Sequence, residues 1–300
     1  MDAVPLQTGQ PVQGQFVQGQ PVQPQPYVVA AGQPLVAQGY STAPPPVSDM
    51  TEQQGILMQQ KFDLQELICP ALVKRNRYKI KSDQGWNSDN AQSFEESPFE
   101  NAPRLFSAKE ESDTCERICC KQWRGFSMYV RPGENMDDGP HMYHFQRPFK
   151  CTMLCCCTLI NPQELSVLDA NNAQVGQVLQ DWRCAEACMC KRYWKVNDAG
   201  NTTQYVIKQD LCENSNCFAP SLCCPVHTIH ILDQQEQPTG GFIRNIFPGC
   251  NCKGMQGAMR DSYHLKFPPN ATAQQRALLL GGLFLIEYQL FEANPNDNNN

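Results

Sequence analysis

The chain has 300 residues, 41% of them hydrophobic and 9% aromatic, enough to bury one large core or two ordinary ones. A formal net charge of -6 and a pI near 5.4 exclude a general attraction to anionic lipid headgroups or nucleic-acid phosphates. No nucleic-acid partner is therefore expected, and any membrane attachment needs another device.

Met1-Asp2-Ala3-Val4-Pro5 lacks the basic and apolar regions of a secretory signal, which predicts a cytosolic chain with reduced thiols. Residues 1–52 read as a disordered Pro/Gln-rich tail. They carry no charge between Asp2 and Asp49 and repeat a unit seen at Gly9-Gln10-Pro11-Val12-Gln13 and Gly19-Gln20-Pro21-Val22-Gln23. Such a segment cannot offset its ordering entropy. Pro24-Gln25-Pro26-Tyr27 and Pro44-Pro45-Pro46 favour polyproline II, which suits either a soluble spacer or a docking site for SH3- or WW-type modules.

From about Ile56 the pattern changes to short alternating runs, which predict half-buried antiparallel strands. Phe62 and Leu64 alternate with Lys61, Asp63 and Gln65, and Tyr78 and Ile80 with Arg77, Lys79 and Lys81. Further runs centre on Phe126, Met128 and Val130, on Leu165 and Val167, on Val196, around Val206, and on Ile229 and Ile231. Asp83-Gln84-Gly85, Arg131-Pro132-Gly133 and Asp198-Ala199-Gly200 supply turn chemistry. A mainly β fold, sandwich or barrel, follows for residues 53–292. The exception is Ala277 to Ile286, apolar on every face. Its ten residues make a helix of about 15 Å, half the hydrocarbon thickness of a bilayer. Glu287 follows at once, so a helix buried in the core is expected, with Leu278, Leu279, Leu280, Leu283, Phe284, Leu285 and Ile286 as its apolar side chains. Residues 293–300 read as a second disordered tail, rich in asparagine.

Apart from Cys69, the 17 cysteines fall in clusters: Cys115, Cys119 and Cys120; Cys151, Cys155, Cys156 and Cys157; Cys184, Cys188 and Cys190; then the pairs Cys212 and Cys217, Cys223 and Cys224, and Cys250 and Cys252. None is a Cys-x-x-Cys knuckle, which weakens structural zinc without excluding it. The run Cys155-Cys156-Cys157, flanked by Arg147, Phe149, Lys150 and Leu154, suits thioester-linked acyl chains, two or more of which anchor a protein stably. For the scattered cysteines burial is the expectation. His227 and His230 are three apart on an expected strand and so face opposite ways. No phosphate loop, His-Glu-x-x-His or Gly-x-Ser-x-Gly appears.

Taken in order, several motifs together resemble the phospholipid scramblase family of the tubby-like superfamily. They are Gln146-Arg147-Pro148-Phe149-Lys150-Cys151 leading into Cys155-Cys156-Cys157, Gln163-Glu164-Leu165, Gly176 through Trp182, Lys266-Phe267-Pro268, and Gly281 through Tyr288. The resemblance implies a closed antiparallel β-barrel around the hydrophobic C-terminal helix, and palmitate on Cys151, Cys155, Cys156 and Cys157. It implies a lipid translocator rather than a metabolic enzyme. Its action would be ATP-independent, calcium-stimulated, bidirectional movement of membrane phospholipids, at the cytoplasmic face of the plasma membrane. In the family's calcium segment only Asp261 keeps a carboxylate, with Met259 and Asn270 where the other acids belong and the positive charge of Arg260 between Met259 and Asp261. Calcium takes six to eight hard oxygens, so a weak site at most is expected. Trp86 to Pro103 is a polar insertion in an early hairpin and reads as a surface loop. An alternative keeps the anchor and drops the transport: an acylated, membrane-tethered lipid- and protein-binding module.

Overall fold

The computed structural model describes residues 50, 52–61, 75–83, 85–88, 99, 101–120, 123–150, 161–184, 190–211, 226–246 and 262–291. All fall within the unit Ser41–Asn300. The strands are β1 (Gly55–Gln60), β2 (Arg77–Ser82), β3 (Arg104–Glu111), β4 (Phe126–Pro132), β5 (Tyr143–Arg147) and β6 (Glu164–Asp169). They continue as β7 (Gln174–Asp181), β8 (Lys191–Asp198), β9 (Thr203–Asp210), β10 (Val226–Leu232), β11 (Pro238–Ile246) and β12 (Ser262–Lys266). A short helix α1 (Thr114–Cys119) joins β3 to β4, and α2 (Ala273–Ile286) follows β12.

Each strand pairs antiparallel with its neighbours in sequence, and β1 closes on β12, so the twelve strands form one barrel. Closure leaves no unpaired strand edge. In β2 the burial alternates strictly, with Tyr78 and Ile80 inward, and β4 does the same with Phe126, Met128 and Val130. The expected strands around Leu165, Val196, Val206 and Ile229 correspond to β6, β8, β9 and β10. The expected strand at Phe62 and Leu64 lies outside the described residues, as do residues 293–300 and all of 1–52 except Met50 and Glu52. Met50 is fully buried in the main core.

A barrel of this size leaves a lumen too wide for side chains alone. α2 fills it. Leu279, Leu280, Leu283, Phe284, Leu285 and Ile286 are 0% exposed and Leu278 is 1% exposed, packed with inward residues of the strands. The helix is apolar all round because wall surrounds it all round. Each fully buried leucine or phenylalanine contributes about 1.5–3 kcal/mol. Thr272 caps its start, accepting from Gln275 N, while the Gln275 side chain accepts from Thr272 N. At the far end a π-helical turn (Glu287–Phe291) is tied to the wall by polar groups. Tyr78 donates its hydroxyl to Glu287 Oε1 at 2.8 Å, and Trp194 Nε1 donates to Gln289 Oε1 at 2.6 Å.

One expectation changes. Of the segment Trp86 to Pro103, Phe99 is 3% exposed and packs with Leu57 and Ile246 on the outside of the barrel, with Trp86 against them. It is an insertion between β2 and β3, but a part of it covers the wall, because the apolar Leu57 faces outward there. The β8–β9 turn runs from Asp198 to Thr202, where the Asp198-Ala199-Gly200 signal puts it, with Asn201 at positive φ.

Candidate functional site

Cys151, Cys155, Cys156, Cys157 and Asp261 lie outside the described residues. Asn270 is exposed in the turn before α2. What the structure does describe is the pair of segments on either side of the cysteine run. Arg147, 3% exposed, donates from Nε and Nη2 to Gln163 Oε1 at 3.2 and 2.7 Å. Gln163 Nε2 donates to the Lys150 carbonyl at 2.7 Å, and Lys150 Nζ meets Glu164 Oε1 at 2.9 Å. Two motifs separated in sequence are therefore knit together, and the chain leaves β5 and returns to β6 at one clamped place. Phe149, beside this clamp, is 49% exposed, while the Arg147 guanidinium sits over the rings of Phe126 and Tyr288 at 5.8 and 5.9 Å.

A cavity of 510 Å³ opens on the outer wall next to the clamp. Its floor is a row of register partners crossing four strands: Glu111 faces Ser127, Ser127 faces Gln146, and Gln146 faces Ser166. Alternation sends these side chains outward while Met128, Phe145, Leu165 and Val167 point in. One side of the cavity is α1. Asp113 caps that helix through Oδ1, accepting from Cys115 N at 2.7 Å and Glu116 N at 3.2 Å. Glu116 Oε2 accepts from Gly125 N at 2.8 Å, and a Cβ at Gly125 would stand 2.9 Å from Phe149 N. Only glycine lets the chain entering β4 approach the Phe149 backbone so closely.

Beneath the cavity, inside the barrel, lies a buried ion pair that no motif announced. Glu110 and Arg124 are 0% and 1% exposed, with Nε to Oε1 at 2.7 Å and Nη2 to Oε2 at 3.1 Å. Tyr288, Ser112 and the Asn76 amide also donate to the Glu110 carboxylate. Burial alone would raise that carboxyl, but the charge and hydrogen bonds of Arg124, with Ser112 and Asn76, together hold it below its ordinary value. The sequence signal was an acidic residue in phase with the inward positions Phe106 and Ala108.

The described cysteines correct the burial expectation. Cys115, Cys119, Cys184 and Cys190 are exposed and Cys120 is half-buried. All sit in connections or at strand starts on the outer side of a wall whose interior is already filled. Cys115 and Cys119 bring their Sγ atoms to 3.9 Å, and the hydrogen bond to Cys119 is the leading cause that raises the Cys115 thiol. Among the described residues no group of three His, Cys, Asp or Glu side chains is placed to hold a metal. His227 faces inward against Phe291, and His230 points the other way.

Elsewhere, Asp83 Oδ2 lies 3.3 Å from His264 Nε2, and Ser88 Oγ lies 2.9 Å from His264 Nδ1. The residue types are those of a hydrolytic triad, but Ser88 is 0% exposed and Arg244 Nη1 donates to its Oγ at 2.7 Å. A nucleophile must reach its substrate. This group instead clasps the insertion to β11 and β12.

Comparison with known proteins adds what geometry alone does not. A family model described as Scramblase matches residues 36–293. The chain is 27% identical to human phospholipid scramblase 1 over 267 residues, 88% of this chain and 72% of that protein. It is 26% identical to bovine phospholipid scramblase 2, covering 83% of this chain and 72% of the relative, and 24% identical to human phospholipid scramblase 4, covering 85% and 66%. No solved structure matches. A family match across nearly all of the barrel, with two of the motifs that carried the resemblance locked together in space, shows that this chain belongs to the scramblase family.

Proposed function

We propose that this protein is a phospholipid translocator, not a metabolic enzyme, that moves lipids between leaflets in both directions without ATP. The observation that carries the reading is the family match over residues 36–293, joined by relatives whose names state phospholipid scramblase. Palmitate on Cys151, Cys155, Cys156 and Cys157 holds the barrel on the cytoplasmic face of the plasma membrane. Two or more chains make such an anchor stable, and the clamp at Arg147, Lys150 and Gln163 would transmit it to the wall. Calcium stimulation is proposed as weak, because Asp261 supplies one carboxylate and Asn270 a neutral amide. The proline-rich tail is proposed to recruit SH3- or WW-type partners, a pull-down comparing the full chain with a deletion of residues 1–46 being the check. That deletion spares Met50, which belongs to the core.

The experiment is reconstitution of acylated full-length protein into vesicles carrying a fluorescent lipid, with dithionite added outside. Loss of signal beyond the outer-leaflet share, without ATP and with a modest rise on adding calcium, is the expected result. A trace that stops at the outer-leaflet share sinks the translocator.

A second reading has its own observation. α2, the most apolar segment, is consumed by the core, with Ala277 and every leucine, phenylalanine and isoleucine from Leu278 to Ile286 at most 1% exposed. An acylated barrel that binds lipid and protein without transport then fits, and the same flat trace, with membrane binding intact, selects it.

A further inference from the structure

We propose that the outer-wall cavity bordered by α1, β3, β4, β5 and β6 binds the ammonium-bearing headgroup of a phospholipid. The inference rests on the lipid-handling reading above and gives it a place and a selectivity. The cavity, at 510 Å³, falls in the range of small-molecule sites, about 300–1,000 Å³. Four carboxylates line it, those of Glu111, Asp113, Glu116 and Glu164; Lys150 stands 2.9 Å from Glu164, and the Arg147 guanidinium turns inward to Gln163 and the rings of Phe126 and Tyr288. That balance repels a bare phosphate and attracts a cation.

The carboxylates are held in place. Asp113 is fixed by the α1 backbone, Glu116 by Gly125 N, and Glu164 by Lys150, which stands 2.9 Å away. Such preorganisation lowers the ordering cost of binding. A metal ion alone would have no use for the rest of the lining. Ser127 and Ser166, two positions of the cross-strand row, bring hydroxyl donors that suit phosphate oxygens, and Pro148 brings apolar surface for methyl or glycerol carbons. A group with an amine at one end and a phosphodiester at the other uses all three features.

The cavity also sits where such a group would be met. Its wall residue Pro148 stands three residues before Cys151, the first of the proposed acylated thiols. Chains attached there would hold the mouth at headgroup depth. Amine-bearing headgroups such as choline, ethanolamine or serine are expected to bind, and phosphatidylglycerol, which has the phosphate and no amine, is expected to bind poorly.

The test is calorimetric titration of the full chain with dihexanoyl phosphatidylcholine and dihexanoyl phosphatidylglycerol, both kept below micelle formation. Wild type should bind the choline lipid saturably and at least about tenfold more tightly than the glycerol lipid. The double variant Glu111→Gln, Asp113→Asn should lose about tenfold for the choline lipid while keeping its circular dichroism and urea midpoint, since asparagine also caps a helix. Equal affinity for both lipids, or a variant that binds like wild type, overturns the proposal. So does saturable calcium binding abolished by the same substitutions with no choline-lipid binding, which would make the lining a cation site. Because binding is read on soluble lipid, vesicles that show no flux leave this site standing while removing the translocator, and flux without saturable binding does the reverse.

Discussion

A single charged pair shows how costly the interior of this barrel is for polar side chains. Glu110 occupies an inward position of β3 and is tolerable only because Arg124 meets it at 2.7 Å and Tyr288 donates to it at 2.8 Å. Arg124→Met leaves a buried carboxylate without its counter-charge, and a loss of about 3–5 kcal/mol is expected in urea unfolding. A loss under about 1 kcal/mol would mean that Glu110 takes up a proton or reaches water. Two other sites contribute to the pH response. Burial would raise the Asp83 carboxyl, but the bonds from His264 and Gly85 and the charges of His264 and Lys266 outweigh it and lower its pKa. Its contribution is complete above the ordinary value of 3.8 and is lost as pH falls through the lower folded value. His144 is lowered the other way round. Burial is the main cause, the charge of His141 adds to it, and Asn172 and Glu111 oppose it. The unfolded chain then takes up that proton first, so stability is complete above pH 6.5 and declines as pH falls below it. His144→Gln should flatten the fall in urea midpoint below pH 6.5, and an unchanged slope would move the effect to another group.

Among the elements, three hairpins share one turn. Asp169, Asp198 and Asp233 each accept from backbone amides through Oδ1, and Asn172, Asn201 and Glu236 take the positive φ near 60°. Asparagine suits that conformation and glutamate does not. Glu236 is held there by Arg183, which donates from Nη1 and Nη2 at 3.1 and 2.7 Å. α2 carries a sharper constraint. A Cβ at Gly281 would meet Val167, Leu165 and Phe145 at 2.9, 3.1 and 3.2 Å. On an exposed helix glycine to alanine adds about 1 kcal/mol of stability. Here Gly281→Ala should instead cost about 1–3 kcal/mol, read by thermal unfolding, and a raised midpoint would show that the helix can back away from the wall. The strands divide by the same logic of burial. β2 and β4 were legible because water lies on one side and core on the other. β5 and β12 were not, because outward residues such as His144 and His264 are themselves buried, which erases the alternation.

At the scale of the molecule, the proposed anchor and the barrel are expected to be separable. Replacing Cys151, Cys155, Cys156 and Cys157 by alanine should abolish acylation and membrane sedimentation while leaving the urea midpoint within about 0.5 kcal/mol. A variant that still sediments with membranes would remove the acyl anchor from the proposal. The sequence by itself determined the mainly β class, the apolar helix and the order of the family motifs. Those depend on local alternation, on length against bilayer thickness, and on residues adjacent in the chain. The tertiary structure closes the strands around α2, as the resemblance implied, and it alone decided their number and register, that Glu110 finds Arg124, and that a cavity lined by four carboxylates opens beside the Arg147–Gln163 clamp. Each of these joins residues far apart in sequence. Glu110 meets Tyr288 across 178 residues, and the partner that makes a buried charge or a filled lumen affordable is set by strand register and closure, which no local window encodes.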